Sequence, residues 1–253
     1  FKDGKPMALT SLNKSDEAPF QYGHLSLKAI LAVRDKRLAQ TIDTVLLYNG
    51  RGFTRFNTGM ESTSSTGYGV AKYDNEAIPE GFRSQSGKNY THAPLFWLSV
   101  IYLNYAEACA ELGNITQDDL DKSINLLKDR AGLPHLNPIV GFSDPANNHG
   151  VSDLIWEIRR ERRCELMFDN DNRYWDLIRW HQLDKLDTTK YPDIILGANV
   201  ANDMDGCEAN KVGKYIDGSK DGSRIYDKKH YLYPIPTGQI ALNPQLAPNN
   251  PGW

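Results

Sequence analysis

The amino-acid sequence predicts a mostly α-helical protein with helical hairpins, long loops and an extended, proline-rich C-terminal tail. Apolar residues recur every three or four positions between about residues 93 and 183, and capping residues punctuate that stretch. Five prolines between residues 234 and 251 exclude a regular helix in the tail. We therefore divide the chain into a loop-rich variable region (1–90), a helical scaffold (91–183), and loops with the extended tail (184–253).

The composition describes an ordinary globular chain. Its 253 residues are 40% hydrophobic and 24% charged, with a net charge of -3, and they lack the basic surplus of a nucleic-acid-binding protein. The longest uncharged stretch, Ala93–Ala106, is shorter than the roughly 20 residues of a transmembrane helix. The cysteines are far apart, without CxxC spacing, so we expect no metal and no cofactor. They are Cys109, Cys164 and Cys207.

The beginning of the sequence, FKDGKPMALT, contains neither an apolar signal core nor a lipidation cysteine. We therefore expect the sequence to begin after processing or within a longer protein. One helix is predicted in GHLSLKAILAVRDKRLAQTI, residues 23–42. From Tyr48 to Tyr90 the chain is rich in Gly, Ser, Thr and Asn with scattered aromatics, a composition typical of loops and short strands.

A helical hairpin is predicted over about 34 residues, the length of a tetratricopeptide unit. The first helix, in APLFWLSVIYLNYAEACAELG, ends at Gly113, a left-handed cap. Its predicted apolar face consists of Leu98, Ile101, Tyr102, Tyr105, Ala108, Cys109 and Leu112. The second helix begins with a capping box of Thr116 and Asp119 and stops at Gly132 and Pro134. Its predicted buried residues are Leu120, Ile124 and Leu127.

The stretch DLIWEIRRERRCELMFD, residues 153–169, places a carboxylate at every fourth position. On a helix such neighbours repel by roughly 0.2–0.5 kcal/mol per pair. The carboxylates are those of Asp153, Glu157, Glu161, Glu165 and Asp169. Glu161 has no cation three or four residues away on its own helix, so its partner must come from another segment.

Three hypotheses account for this acidic row. A glycosidase needs one protonated carboxyl, whereas the interleaved arginines keep these groups ionised. Calcium needs oxygens that converge from a loop, and this segment has none. The interpretation that we favour is a structural ion-pair network in which Glu161 and Glu165 receive Arg173, Arg179 or another guanidinium from neighbouring helices. Asp176 belongs to the same predicted network.

A further helix is predicted in NDNRYWDLIRWHQL. Its shared face consists of Tyr174, Leu177, Ile178 and His181. Beyond Leu183 the pattern fades into polar, Gly-rich sequence, and the chain ends in HYLYPIPTGQIALNPQLAPNNPGW. This tail can persist only if it packs on the rest of the protein.

Three segments, in order along the chain, resemble the SusD/RagB family. IWEIRRERRCELMFDNDNRYWDLIRW is similar to the family signature I-x-x-E-R-x-x-E-L-x-F-E-x-x-R-x-x-D-L-x-R-W, and departs from it at Asp169, where the family usually has Glu. SVIYLNYAEACAELG and YLYPIPTGQIALNPQLAPNNPGW resemble a helix and the terminal stretch of the family. VRDKRL and TGYGVAKY are weaker similarities. The resemblance runs from about Val33 to the end of the chain.

The resemblance implies a SusD-like helical fold with tetratricopeptide-like hairpins, and a binding protein rather than an enzyme. Such proteins are outer-membrane lipoproteins of Bacteroidetes on the extracellular face, where they capture glycans for polysaccharide utilisation and deliver them to a SusC-like TonB-dependent transporter. Membrane attachment would be only through a lipid anchor on the N-terminal half, which the resemblance implies is absent from this chain. RagB-like members bind peptides, so the ligand class stays open. A tetratricopeptide-like protein-interaction module and an α-helical glycosidase are the alternatives.

Aromatic residues on loops are the candidate ligand-binding residues. A sugar ring offers apolar C–H faces that stack on aromatic rings, and hydroxyl groups that hydrogen-bond to polar side chains. Such residues are expected on loops held by a rigid frame. The candidates are Phe53, Arg55, Phe56, Asn57, Tyr68 and Tyr73. The tryptophans within helical patterns are expected in the core instead, and they are Trp97, Trp156, Trp175 and Trp180.

Overall fold

The computed structural model is mostly helical with a few short strands, as the sequence predicts. The chain forms two compact units, and each is described separately. Unit 1 comprises Phe1–Asp169 and Gly197–Asp217, and unit 2 comprises Asn170–Leu196 and Gly218–Trp253. The structure describes residues 1–12, 27–46, 64–75, 77–83, 85–92, 94–169, 172–200, 211–219 and 222–253.

The helices of unit 1 surround an apolar core. They are α1 (Leu27–Val33), α2 (Lys36–Thr41), α3 (Glu80–Arg83), α4 (Leu98–Glu111), α5 (Gln117–Asp121), α6 (Ile124–Ala131) and α7 (Asp153–Glu165). Helix α4 packs along α7, and α6 packs against both. The core residues between them are Leu103, Ala106, Leu120, Ile124, Leu127, Leu136, Ile158 and Leu166. Within the described residues, no helix is long and apolar enough to cross a membrane.

The described residues also form two small sheets. Strand β1 (Ile42–Leu46) pairs with β2 (Tyr68–Val70). Strands β3 (Leu196–Asn199), β5 (Tyr215–Asp217) and β4 (Lys211–Val212) form a sheet in that order. A second small core consists of Ala198, Val200 and Ile216. A Cβ atom on Gly197 would lie 2.5 Å from the carbonyl oxygen of Thr66, so only glycine permits this close approach of the two backbones.

The predicted apolar face of α4 is wrong. Leu98 and Leu112 are 62% and 76% exposed, and Ile101 and Tyr105 are exposed as well. The side that packs inward carries Ser99, Leu103, Ala106 and Glu107. The helix is apolar on more than one side, and two of its buried positions are polar, so hydrophobicity alone could not identify the inner face.

The helix predicted over residues 23–42 is two short helices where the structure describes it. The chain breaks at Asp35, whose Oδ1 accepts the backbone N–H of Arg37 at 2.9 Å and so caps α2. A short carboxylate that competes for backbone donors favours a helix start over a helix interior.

The second helix of the predicted hairpin is also divided. The capping box of Thr116 and Asp119 and the left-handed Gly132 are confirmed. Helix α5 nevertheless ends at Asp121, and Ser123 leaves the helical region at φ -132° and ψ -99°. The Ser123 hydroxyl donates to the carbonyl of Asp119 at 2.5 Å, and this local bond competes with helix continuation. The three predicted buried residues, Leu120, Ile124 and Leu127, are all in the core.

Unit 2 contains α8 (Asn172–Arg179) and α9 (Thr237–Leu242), together with short 3-10 helices. Helix α8 ends before His181, which has a φ of 53°, so His181 does not extend its face. The tail is less extended than predicted, because α9 and a 3-10 helix at Pro244–Leu246 form within it. Pro236 stands at the N-terminal boundary of α9, and Pro244 opens the 3-10 helix. Proline is tolerated at these positions because no helical N–H bond is lost there.

Candidate functional site

The carboxylates of the acidic row on α7 have hydrogen-bond or ionic partners. Asp153 accepts a hydrogen bond from the Ser143 hydroxyl at 2.6 Å. Glu157 is paired with Arg160, three residues away on the same helix. The remaining three carboxylates, those of Glu161, Glu165 and Asp169, contact residues from other segments of unit 1.

Glu161 and Glu165 share one guanidinium. Arg37 Nη1, from α2, lies 2.5 Å from Glu161 Oε1 and 2.8 Å from Glu165 Oε2. Lys128 Nζ is 3.5 Å from Glu161, and Arg130 Nη2 is 2.5 Å from Glu165. These residues, from α2, α6 and α7, form an ion-pair network in which like charges on α7 are neutralised by cations from two other helices.

Arg37 is held at the centre of this network by the cap of its own helix. Its Nη2 lies 2.5 Å from Asp35 Oδ2, so the same carboxylate orients both the backbone and the guanidinium. Burial by itself would lower the pKa of Arg37, but the hydrogen bonds and charges of Asp35 and Glu161 raise it above its ordinary value. Arg37 therefore stays charged while buried.

Arg173 and Arg179, the predicted partners of Glu161 and Glu165, belong to unit 2. The cations that contact the two glutamates in the structure are Arg37, Lys128 and Arg130. On α8, Arg179 Nε lies 2.9 Å from Asp176 Oδ1. Asp176 therefore pairs on its own helix, at the i, i+3 spacing. Arg37 stands in VRDKRL, one of the weaker family similarities, and that was the signal available in the sequence.

Asp169 is held by Lys72 and Tyr73, which lie just beyond β2. Lys72 Nζ lies 2.7 Å from Asp169 Oδ2 and donates to the carbonyl of Met167 at 2.9 Å. The Tyr73 hydroxyl lies 2.7 Å from Asp169 Oδ1 and 2.8 Å from the carbonyl oxygen of Phe168, whose φ is 64°. Burial and then the Asp169 carboxylate raise the pKa of Tyr73 to about 12. Lys72 and Tyr73 thus fix the turn that ends α7.

Removal of the Tyr73 hydroxyl should loosen that turn. We expect Tyr73→Phe to lower the free energy of unfolding by about 1 kcal/mol, because it deletes a hydrogen bond to a charged acceptor at a half-exposed site. Urea denaturation followed by circular dichroism measures this, with Tyr90→Phe at an exposed tyrosine as the control. Equal stabilities of the two variants would show that the Asp169 contact contributes nothing.

A cavity of about 630 Å³ lies beside this turn in unit 1. The ion-pair network forms part of its lining, and other walls come from residues 71–75, 91, 92, 94 and 97. Two aromatic side chains, Tyr73 and Trp97, line it together with the amides of Gln40 and Asn75 and the imidazole of His92. Lys72 Nζ lies 5.5 Å from the centre of the Trp97 ring. The cavity therefore combines aromatic surface with amide and imidazole groups and with charged side chains of the ion pairs.

The structure separates the predicted ligand-binding residues into three groups. Phe53, Arg55, Phe56 and Asn57 lie outside the described residues. Tyr73 lines the cavity. Tyr68 is half-buried and packs on the second small core, where burial raises its pKa.

The tryptophans predicted to be in the core are only partly buried or exposed. Trp97 stands at the N-cap of α4 and lines the cavity. Trp156 and Trp180 are half-buried, and Trp175 is 56% exposed. Trp97 immediately precedes the first helical turn, so helical periodicity does not assign its side chain to the inner face. The position of Trp97 at the start of the helix was the signal in the sequence that it need not lie in the core.

In the part of the chain that the structure describes, no group of three or more His, Cys, Asp or Glu side chains could hold a metal ion. Cys109 and Cys164 are half-buried free thiols, and Cys207 lies outside the described residues.

Comparison with known proteins agrees with the fold. The model of the SusD family matches residues 24–253. The crystal structure of a SusD-like protein from Bacteroides fragilis superposes with a TM-score of 0.53 at 22% sequence identity, over 92% of this chain and 43% of that one. The chain thus spans less than half the length of that relative. A search of curated proteins found no match. Because the family model covers most of the sequence, including the acidic row and its partner Arg37, the chain belongs to the SusD family.

Proposed function

We propose that this chain is the ligand-binding part of a SusD-type nutrient-binding protein that captures an oligosaccharide. The observation that carries the proposal is the cavity lined by Trp97 and Tyr73 beside the amides of Gln40 and Asn75. Aromatic faces suit the C–H faces of a sugar ring, and amides hydrogen-bond to its hydroxyl groups as donors and acceptors. The captured sugar would pass to a SusC-like TonB-dependent transporter, with the protein lipid-anchored on the extracellular face of the outer membrane.

The charges that line the cavity favour a neutral ligand. Arg37 and Arg130 are already paired with Glu165, and Lys72 is paired with Asp169. A peptide would bring charged termini, and these would compete with ion pairs that are already formed. A neutral oligosaccharide needs no such exchange, and we therefore favour it over a peptide.

The acidic row supports binding without hydrolysis. A glycosidase requires one carboxyl with a raised pKa close to a second, ionised one. Glu161 and Glu165 instead both contact the Arg37 guanidinium and belong to the ion-pair network. We therefore infer that the protein holds its ligand intact.

Trp97→Ala should weaken glycan retention about tenfold, a loss of about 1.4 kcal/mol, with little change in the melting temperature because Trp97 is only half-buried. Native affinity electrophoresis in gels that contain starch, xylan, galactomannan or mixed-linkage β-glucan measures the dissociation constant. Phe96→Ala is the matched control, because Phe96 is the adjacent aromatic residue, 93% exposed, and does not line the cavity.

The outcomes separate the candidate functions. Retarded migration that Trp97→Ala abolishes and Phe96→Ala preserves supports glycan capture at the cavity. Release of reducing sugar from the same polysaccharides would indicate a hydrolase. Wild-type migration that no polysaccharide retards, together with heat released on titration with an oligopeptide mixture, would favour a peptide ligand.

A second candidate function, a tetratricopeptide-like protein-interaction module, is favoured by one observation. Four apolar side chains of α4 and its C-cap are exposed, those of Leu98, Ile101, Tyr105 and Leu112. They are separated by three, four and seven residues, the spacing of residues by which one helix packs on another. An interaction module without glycan affinity would migrate unretarded in every gel.

A further inference from the structure

Three aromatic side chains of unit 2, two exposed and one half-buried, form a cluster that the cavity does not include. Tyr174 and Trp175 are consecutive on α8, and their rings meet edge to face, with centroids 5.5 Å apart and planes at 67°. The Tyr233 hydroxyl, from the tail, lies 3.0 Å from the Tyr174 hydroxyl. We call these three residues the aromatic corner. Trp175 is 56% exposed and Tyr233 is 66% exposed.

The fold holds the aromatic corner in place from both sides. Helix α8 buries Asp176 and Leu177, the two residues after Trp175, and this fixes the helix face that bears Trp175. The tail is fixed by asparagines: Asn250 Nδ2 donates to the carbonyl of Tyr233 at 2.6 Å. Asn249 then bonds both the N–H and the carbonyl of Ile235, at 2.7 and 3.0 Å. An exposed ring on a pinned backbone loses little conformational entropy when a ligand binds.

The arginines of α8 are directed at a different ring. Arg179 and Arg173 lie 4.7 and 5.9 Å from the centroid of Trp180. The side chains of the aromatic corner themselves are uncharged at neutral pH. A neutral ligand therefore suits this surface better than an anionic one does.

The hydroxyl pair provides polar groups next to the indole. When one tyrosine hydroxyl donates to the other, the accepting hydroxyl keeps its own proton free, and both oxygens keep acceptor capacity. A free donor and free acceptors beside an aromatic face match a pyranose, which has an apolar C–H face and a hydroxyl edge.

We propose that the aromatic corner is a second sugar-binding site, with Trp175 stacked on a pyranose ring and the Tyr174–Tyr233 hydroxyl pair bonded to the sugar hydroxyls. This inference rests on the proposed function, in that it assumes a glycan ligand, and adds a site in unit 2 that is distinct from the cavity of unit 1. The ligand is a neutral polysaccharide chain or one of its terminal residues.

The test uses the intact chain in affinity gels that contain starch, xylan, galactomannan or mixed-linkage β-glucan. In the gel that retards the wild type most, we expect Trp175→Ala to raise the dissociation constant at least fivefold. The double variant Tyr174→Phe, Tyr233→Phe keeps the rings and should raise it two- to threefold. Phe96→Ala should leave it unchanged. Quenching of tryptophan fluorescence by the matching oligosaccharide should decrease in Trp175→Ala.

Each outcome decides the matter. If Trp97→Ala loses retention while Trp175→Ala and the double tyrosine variant migrate like the wild type, the aromatic corner is overturned and glycan capture at the cavity stands. If no polysaccharide retards the wild type, both the proposed function and the second site are overturned. If Trp175→Ala fails to fold by circular dichroism, the double tyrosine variant carries the test, and its unchanged retention would refute the site.

Discussion

Arg37→Ala should lower the free energy of unfolding by about 3–5 kcal/mol, the cost of leaving buried charges without their partner. Arg37 contacts three carboxylates, those of Asp35, Glu161 and Glu165, at distances of 2.5 to 2.8 Å. Among the residues that the structure describes, its loss leaves Glu161 with the longer contact to Lys128. It also removes the cation that lies between Glu161 and Glu165.

The matched control for this variant is Arg130→Ala. Arg130 contacts the same Glu165 carboxylate, but its side chain is half exposed. An exposed pair contributes at most about 1 kcal/mol, so the two arginines should differ several-fold in their effect on unfolding by urea. Arg37→Lys should recover only part of the loss, because an ammonium cannot reproduce the forked contacts of a guanidinium. Similar losses of unfolding free energy in Arg37→Ala and Arg130→Ala would mean that burial does not strengthen the Arg37 ion pairs.

Glu161→Ala should also destabilise the protein by about 3–5 kcal/mol. Glu161 is 5% exposed and lies between Arg37 and Lys128, both buried. Removal of its carboxylate leaves the buried Lys128 ammonium without its contact to Glu161, a costly state for a charged amine. Thermal melting by circular dichroism detects the change, with Glu111→Ala as the control on a half-exposed carboxylate. A melting curve like that of the wild type would contradict the description of Glu161 as framework.

Local signals identified the helices well. The capping box of Thr116 with Asp119 and the glycine cap at Gly132 act within a few residues, so the sequence contains all the groups involved. Helix interruptions were missed although their signals are also local: Asp35 and Ser123 bond backbone groups two and four residues away, and apolar periodicity was given more weight than these polar side chains.

Partners across the chain could not be predicted from spacing. Arg37 and Glu161 are separated by 124 positions, and helical periodicity says nothing about such pairs. The sequence showed only that Glu161 needed a cation from elsewhere, and the family resemblance contained that cation without identifying it. Arg173 and Arg179 were chosen because they lie close in sequence, which is a weak guide to contact between helices.

The candidate site was predicted only in part, because helical periodicity did not show which aromatic residues are exposed. Tyr73 was recognised as an aromatic residue on a loop, and it lines the cavity. Trp97 and Trp175 were assigned to the core because they lie in apolar helical patterns, yet one stands at a helix start and the other on an exposed face. Amphipathic periodicity assigns a face only when polar and apolar residues segregate, and in α4 they do not.

A double-mutant cycle on Arg37 and Glu161 tests the central claim most directly, namely that a guanidinium from α2 neutralises the acidic row of α7. The free energies of unfolding of the wild type, Arg37→Ala, Glu161→Ala and the double variant are measured in urea. We predict that the double variant loses about 1–3 kcal/mol less than the sum of the single losses. Losses that add within about 0.5 kcal/mol would show that the two residues do not interact, and would contradict the account.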